Sequence, residues 1–545
     1  MTETEARRAG ETADGTAYDV VVAGSGAAGL TAAVRTARAG LRTLVLEAAD
    51  EFGGTTALSG GRVWVPVNGT PENAGDSPEA ARTYLSQLFD PRWPEFVEAF
   101  VAHAPRMREF VEEATPHRFA VCPHYPDYHP HLAGATVGGR CFDMEVLDLG
   151  RLVPEAARVR EAPGYVPIRH AEWEEWRYPA HFDHERLRAR YAAGGRTGGV
   201  ALAAALVDGA VRAGARLRAG ARVVDVLRAG DGVGGVVVRT PSGTEHIRAR
   251  AVVLATGGFD GNPRLREQLL PAGLGVSAAA PSNTGLALDL ADRLGAPTAN
   301  VHDGWWMPMA QVPGEKLDGR DYPRGLVRER GTPRAVIVNT AGRRFIDEAA
   351  PYNEFGKAMH RLDELGRTPN REAYLIFDEG FRSRYPFPGL TPSGPLAGHI
   401  VSAGSLAELA RRIGVDAEGL QESVARWNAF SAQGRDEEFH RGENPYDRYY
   451  GDPWQEGNPN LGPIDRPPYY ATRVHSGCIG SKGGLTTDTA GRVLGADGPL
   501  PGLYAVGNAA AFWAGDGYPG PGATLAVGMV MGLLAAEDIA GTAGS

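Results

Sequence analysis

A glycine triplet near the N-terminus constrains this chain more than any other feature. The run DVVVAGS (19–25) has the β-branched pattern of a short strand, Gly24, Gly26 and Gly29 follow at once, and LTAAVRTARAG (30–40) continues with Leu30, Ala33, Val34 and Ala37 at helical spacing. A second strand pattern, LRTLVL (41–46), ends on Glu47. A lone G-x-G-x-x-G means little; here it joins strand, turn, helix, strand and acid in the order of a dinucleotide-binding βαβ unit. Gly24 makes the tight turn, Gly26 lets the backbone approach a pyrophosphate, and Gly29 lets helix and sheet pack closely. Ser25 and Ala28 belong to the same phosphate-facing helix start, and Glu47 is placed for ribose hydroxyls.

The remaining 500 or so residues could hold three or four units at about 150 residues each, or two if the fold carries a large cofactor. Residues 197–258 read as a second piece of the first domain: a helix (197–214), two strands about a hairpin-like AGDG that begin near Val223, and a buried strand, AVVLATGGF (251–259). LYAVGN (503–508) and the apolar stretch after it form a third piece. Between them lies a less regular, aromatic-rich region. The expected architecture is therefore α/β: a discontinuous Rossmann domain (18–275 and 466–545) with an inserted α+β capping domain (276–465), preceded by a flexible N-terminus (1–17).

Composition removes other classes. Charged residues sum to −10, only Lys316, Lys357 and Lys482 are lysine, and no basic block accompanies the arginines, so nucleic acid is not an expected partner. Three cysteines exclude a disulfide scaffold and a four-thiolate iron–sulfur cluster. No apolar run follows Arg7 and Arg8, and the late run 526–536 falls short of the ~20 residues of a membrane span. A cytoplasmic protein without a transmembrane segment is expected.

Three later segments bear on which dinucleotide binds. EFGGTTALSGGRVWVP (51–66) is a run of small residues whose backbone could press on a flat ring system, through Gly53, Gly54, Thr55, Thr56, Ser59 and Gly60. ATGG (255–258) and GLYAVGN (502–508) add Ala255, Thr256, Gly257, Gly507 and Asn508. Together they resemble the glutathione-reductase-type FAD fold, in the branch holding fumarate reductase and the ketosteroid dehydrogenases, which implies FAD. A second G-x-G-x-x-G in a βαβ context is missing, so electrons would leave through the substrate and an external acceptor such as a quinone, a dye or O2. The helix opening on Gly522, Ala523, Thr524 and Leu525 carries a partial positive charge suited to an anionic reduced flavin.

Four stretches resemble 3-ketosteroid Δ1-dehydrogenase: GGTTALSGGRVWVP, PRAVIVNTAGRRFIDEAAPY (333–352), the block from NPYDRYYGDP to NPNLGPI (444–464), and GYPGPGAT (517–524). The resemblance implies desaturation beside a ring ketone of a small hydrophobic, steroid-like substrate. Forming that double bond requires a base for the α proton, a hydride acceptor and donors on the carbonyl oxygen. By the resemblance, Tyr518 and the Gly522 N–H hold the oxygen, Tyr352 takes the proton, and a tyrosine of CPHYPDYHPHLAG (122–134) supports it, Tyr128 matching better than Tyr125. Tyr322 is the alternative base. Cys122, His124, His129 and His131 in that loop lack a completing partner, so no metal is expected.

Trp305, Trp306, Met307 and Pro308 either wall a flat substrate or pack in the core. Arg343 and Arg344 read as a structural hairpin, and Lys482 as a solvated lysine. The chain departs from the ketosteroid pattern at NTGLA (283–287), where an acid and a glycine are lost, at Phe512, Trp513 and Asp516, and around His475 and Cys478. The stretch 169–191 is unusually aromatic and charged. A non-steroidal cyclic ketone therefore stays open as substrate. So do an enone or enoate reductase and a flavin electron-transfer or binding protein on the same fold.

Overall fold

The computed structural model describes residues 18–271, 274–390, 392 and 394–543; the N-terminal segment 1–17 lies outside the described residues. β1 (Tyr18–Ala23), α1 (Ala27–Arg38) and β2 (Thr43–Leu46) form the expected βαβ unit, with Val20–Ala23 parallel to β2. β1 is apolar on both faces because it lies centrally, with Val20, Val21 and Val22 fully buried. α2 (Gly54–Leu58) and β3 (Val63–Trp64) follow. β3 joins β4 (Phe119–Cys122) and β5 (Cys141–Met144) in a small sheet of order β3-β5-β4.

α3 (Gly198–Arg212) leads to β6 (Arg216–Arg218), β7 (Arg222–Ala229), β8 (Gly232–Thr240) and β9 (Gly243–Leu254). β7 and β8 are the expected hairpin, and the last half of β9 pairs in parallel with β1, Ala23 opposite Leu254.

The inserted unit is built on β10 (Val276–Ser277), β11 (Gly304–Leu317), β12 (Arg320–Gly325), β13 (Ala335–Asn339), β14 (Ala373–Asp378), β15 (Ile400–Ala403) and β16 (Tyr469–Ser481). Their order is β12-β11-β16-β14-β13, with β10 and β15 also on β16. β16 corrects the sequence boundary at 465/466. It lies in the middle of the inserted sheet, so the chain returns to the Rossmann sheet only after Ser481. The strand pattern was legible, but which sheet it joins depends on long-range pairing.

The return consists of β17 (Arg492–Gly495), β18 (Gly498–Ala505) and α4 (Ala523–Ala543), completing the order β17-β18-β9-β1-β2-β6. By length and composition α4 could cross a membrane. It is longer than the run read from sequence, and here it is a core helix: Ala526, Met529, Leu533, Ala535 and Ala536 are buried, and its glycines meet α1.

A charged cluster holds the inserted unit together. Arg344 forks onto Glu348 at 2.8 and 2.7 Å and also reaches Asp436 at 2.8 Å, and Arg441 meets Glu348 at 3.2 Å, all fully or almost fully buried. Burial alone would raise the Glu348 pKa, but Arg344 and Arg441 hold it below the usual value. Arg344 is therefore structural, as its hairpin pattern suggested. Glu348→Gln removes the carboxylate shared by two buried guanidinium groups and leaves Asp436 to balance both, and we expect a loss of about 3–5 kcal/mol, read as a lower unfolding midpoint by circular dichroism.

Candidate active site

One cavity of about 780 Å³ runs from the end of β1 to the inserted sheet. Its first half is made by the dinucleotide residues. Gly24, Ser25, Gly26 and Ala28 line it at the β1–α1 turn, and Glu47 at the end of β2. Gly24 sits at φ +110°, and a Cβ there would lie 2.2 Å from the Ala255 carbonyl oxygen, so only glycine fits. Glu47 accepts from Ser25 N and Oγ (3.1 and 2.6 Å) and from Ala49 N (3.0 Å), which fixes the carboxylate facing the cavity.

Gly54, Thr55, Thr56, Ser59 and Gly60 line the next stretch, with Val223, Ala255, Thr256 and Gly257 across from them. Gly507, Asn508, Gly522, Thr524 and Leu525 complete it at the start of α4. Three expected cofactor residues stand behind the lining instead. A Cβ on Gly29 would lie 2.4 Å from Gly24 O and 2.9 Å from Ala255 Cβ, so that glycine serves helix–sheet packing. Gly53, left-handed at φ +100°, donates its N–H to Ser25 Oγ, and Ala523 is buried in the helix packing.

Asn283, in the divergent NTGLA stretch, also lines the cavity and donates to Thr55 Oγ1 at 3.2 Å. The Thr256 hydroxyl is buried on this wall with no partner in the protein, as a residue awaiting a ligand's polar atom would be. This orphaned hydroxyl, the glycine-lined turn and Glu47 fit FAD.

The other half is aromatic. Tyr128 donates to Tyr352 Oη at 2.9 Å, and Tyr352 donates to Tyr518 Oη at 2.8 Å, so three expected catalytic residues from distant segments form one hydrogen-bonded chain. All three line the cavity. Burial pushes the Tyr128 and Tyr352 phenols well above 10 and raises that of Tyr518, which hydrogen bonds from Tyr352 and Thr524 partly offset. Tyr125 takes no part in the chain: its hydroxyl meets that of Tyr450, and its ring stacks on His170. Tyr322, the alternative base, donates to the Ala278 carbonyl at 3.3 Å and, among the described residues, takes no part in the tyrosine chain.

Two loops hold the chain together. Tyr128 N and Tyr84 Oη both donate to Pro519 O, at 3.0 and 2.6 Å, tying the 122–134 loop to the Tyr518 loop. Asp127, between the two candidate tyrosines, accepts from Trp64 Nε1 and from the Arg140 guanidinium, each at 2.7 Å. Trp64, Asp127 and Arg140 escaped the sequence reading because their task is positional. Tyr446, whose ring lies 5.2 Å from that of Tyr128, was within reach, since it stands in the NPYDRYYGDP block.

Comparison with known proteins identifies the family. The chain matches the FAD binding domain family over residues 19–525. It is 39% identical to the 3-oxosteroid 1-dehydrogenase of Mycobacterium tuberculosis, over 97% of this chain and 99% of that protein. It is 38% identical to a 4-oxocyclohexanecarboxylate 2-dehydrogenase of Sinomonas cyclohexanicum, over 96% and 93%. The solved 3-ketosteroid delta1-dehydrogenase from Sterolibacterium denitrificans, in complex with 1,4-androstadiene-3,17-dione, superposes with a TM-score of 0.88 at 36% identity, over 96% of this chain and 100% of that one. The chain belongs to the 3-ketosteroid Δ1-dehydrogenase family of FAD-dependent flavoproteins.

Within this family fold, the β11 motif divides by strand alternation. Trp305 and Met307 line the cavity, while Trp306 packs behind with Phe259, Leu270 and Cys478. Lys482 is fully buried, not solvated: it pairs with Asp303 at 3.0 Å beneath the Trp305 ring, 4.7 Å away. It therefore supports the wall. Gly24→Ala should yield a protein that takes up little or no FAD, read as loss of the yellow absorbance per mole of purified protein.

Proposed function

We propose that this protein is an FAD-dependent dehydrogenase that introduces a carbon–carbon double bond beside a ring ketone, using Tyr518 and Gly522 to hold the ketone and Tyr352 to remove the α proton. The observation that carries this reading is the buried chain Tyr128–Tyr352–Tyr518 at the end of the FAD cavity. When bound, FAD supplies the acceptor for the hydride leaving the β carbon.

The hydrogen-bond directions suit those roles. Tyr518 accepts a hydrogen bond from Tyr352, so its own O–H is not spent on that contact and can donate to a ketone oxygen. The N–H of Gly522, where the cavity meets α4, is the second donor in this reading. Donors aimed at an oxygen that gains charge count most in a site that excludes water. Tyr352 accepts from Tyr128, which stabilises it once it is deprotonated. The α C–H electron pair becomes the new π bond as the proton passes to Tyr352. The reducing equivalents then go to an external acceptor.

Two measurements test the assignment. Tyr518→Phe should lower anaerobic flavin reduction by about 10²–10³, and Tyr352→Phe by about 10²–10⁴, with FAD still bound. Wild-type rates in either variant would remove that residue from its role. In the pH profile, Tyr352 must lose its proton to act, and burial holds it as a phenol beyond pH 10. The rate of flavin reduction should thus climb with pH, approaching tenfold per unit, without a plateau below about pH 10. The product should be lighter than the substrate by two hydrogens.

A further inference from the structure

The cavity's charges are distributed unevenly. Its acidic lining residues are Glu47 and Asp289, both on the nucleotide side, where Arg222 and Arg239 line it as well; Asp289 stands on the helix that is pinned to β7 by Arg293 and Asp225. Among the described residues no carboxylate lines the end that holds the tyrosine chain, yet Arg62, Arg324 and Arg328 do.

Two of these cations have partners. Arg324 forks onto Glu315 at 2.6 Å through both nitrogens. Arg62 donates to Gly60 O and to His170 Nδ1, with Asp143 at 3.5 Å. Burial and the nearby Arg62 pull the His170 pKa down to about 4, so that ring is neutral and can accept.

Arg328 differs. Its guanidinium lies 3.9 Å above the Trp173 ring, and among the described residues it makes no hydrogen bond or ion pair. The adjacent Glu329 turns its carboxylate to the backbone N–H groups of Val327 and Arg328, both at 3.1 Å. The other polar groups facing Arg328 are Tyr449, Tyr450 and Arg62; Tyr450 is spent on Tyr125, Tyr449 on His170 and Glu174. Burial disfavours the Arg328 charge, but an arginine stays protonated all the same. An unpaired cation on the wall of a mostly aromatic cavity is a costly feature unless an anion arrives to meet it.

Resting on the desaturase reading, we propose that the ring ketone carries a carboxylate, received by Arg328 on its Trp173 platform while the ketone lies against Tyr518. A neutral steroid would leave this cation unmatched. Two molecular shapes present the required chemistry, a small oxo-ring acid and a ketosteroid with an acidic tail, and the test separates them.

Anaerobic flavin reduction is measured with 4-oxocyclohexanecarboxylate and its methyl ester, and with a 3-ketosteroid bearing a 17-carboxylate and its methyl ester. In at least one pair the acid should be more efficient by about 30- to 1,000-fold, the range for a desolvated charge pair, with most of the difference in KM. The pair that shows it identifies the shape. Arg328→Gln should collapse that acid-to-ester ratio toward one, and Arg328→Lys should restore part of it; flavin content reports whether each variant folds.

Esters equal to or better than acids in both series overturn the carboxylate inference and leave the desaturase reading standing. An acid preference that survives Arg328→Gln overturns the role of Arg328. Absence of bleaching by all four ketones removes the desaturase reading together with the inference. If Arg328→Gln fails to hold flavin, the wild-type ratio still decides on the carboxylate, and Arg328→Lys decides on the residue by a shift in KM for the acid.

Discussion

The site depends on the close approach of two helices. Gly528 and Gly532 of α4 face Ala28 of α1, and a Cβ on Gly532 would lie 2.2 Å from the Ala28 carbonyl oxygen. Only residues without side-chain bulk permit this backbone contact. α1 begins at the dinucleotide turn and α4 directly follows the Tyr518 loop, so one packing contact sets the glycine-lined turn and the Tyr518 loop relative to each other. The cavity between them follows from that spacing.

A second layer of polar contacts turns proximity into geometry. Pro519 O accepts from both Tyr84 and Tyr128, and Asp127 is gripped by Trp64 and Arg140. Buried polar groups with satisfied partners act as rigid pins. They bring a tyrosine from the first third of the chain against one from the inserted unit and one from the C-terminal return. The tyrosine chain thus sits where the Rossmann domain, the small β3–β5 sheet and the inserted domain meet. Burial raises the pKa of each of its members and so keeps them protonated.

The cavity also carries a chemical polarity. Among the described residues, acids line the nucleotide end, beside Arg222 and Arg239, while the charged residues lining the tyrosine end are Arg62, Arg324 and Arg328. Between them, Trp305 and Met307 offer a flat apolar wall. A ligand meeting all of these at once would have an apolar ring body with oxygen at each end.

Much of this was legible because it is local. The strand–glycine–helix unit, the role of Glu47 as a cavity acid, the hairpin of β7 and β8 and Tyr518 in its Pro–Gly loop are all contained within short segments. The location of β16, the burial of Lys482 and the standing of Arg328 were not, since each depends on partners far away in sequence. By itself the sequence determined that this chain builds a dinucleotide fold, because glycine placement acts over a few residues, and its resemblance to a known family singled out three tyrosines. Only the tertiary structure decided which tyrosine meets which, which glycines line the cavity and which stand behind it, and what surrounds Arg328. Those outcomes depend on distances between segments hundreds of residues apart, set by core packing and strand pairing.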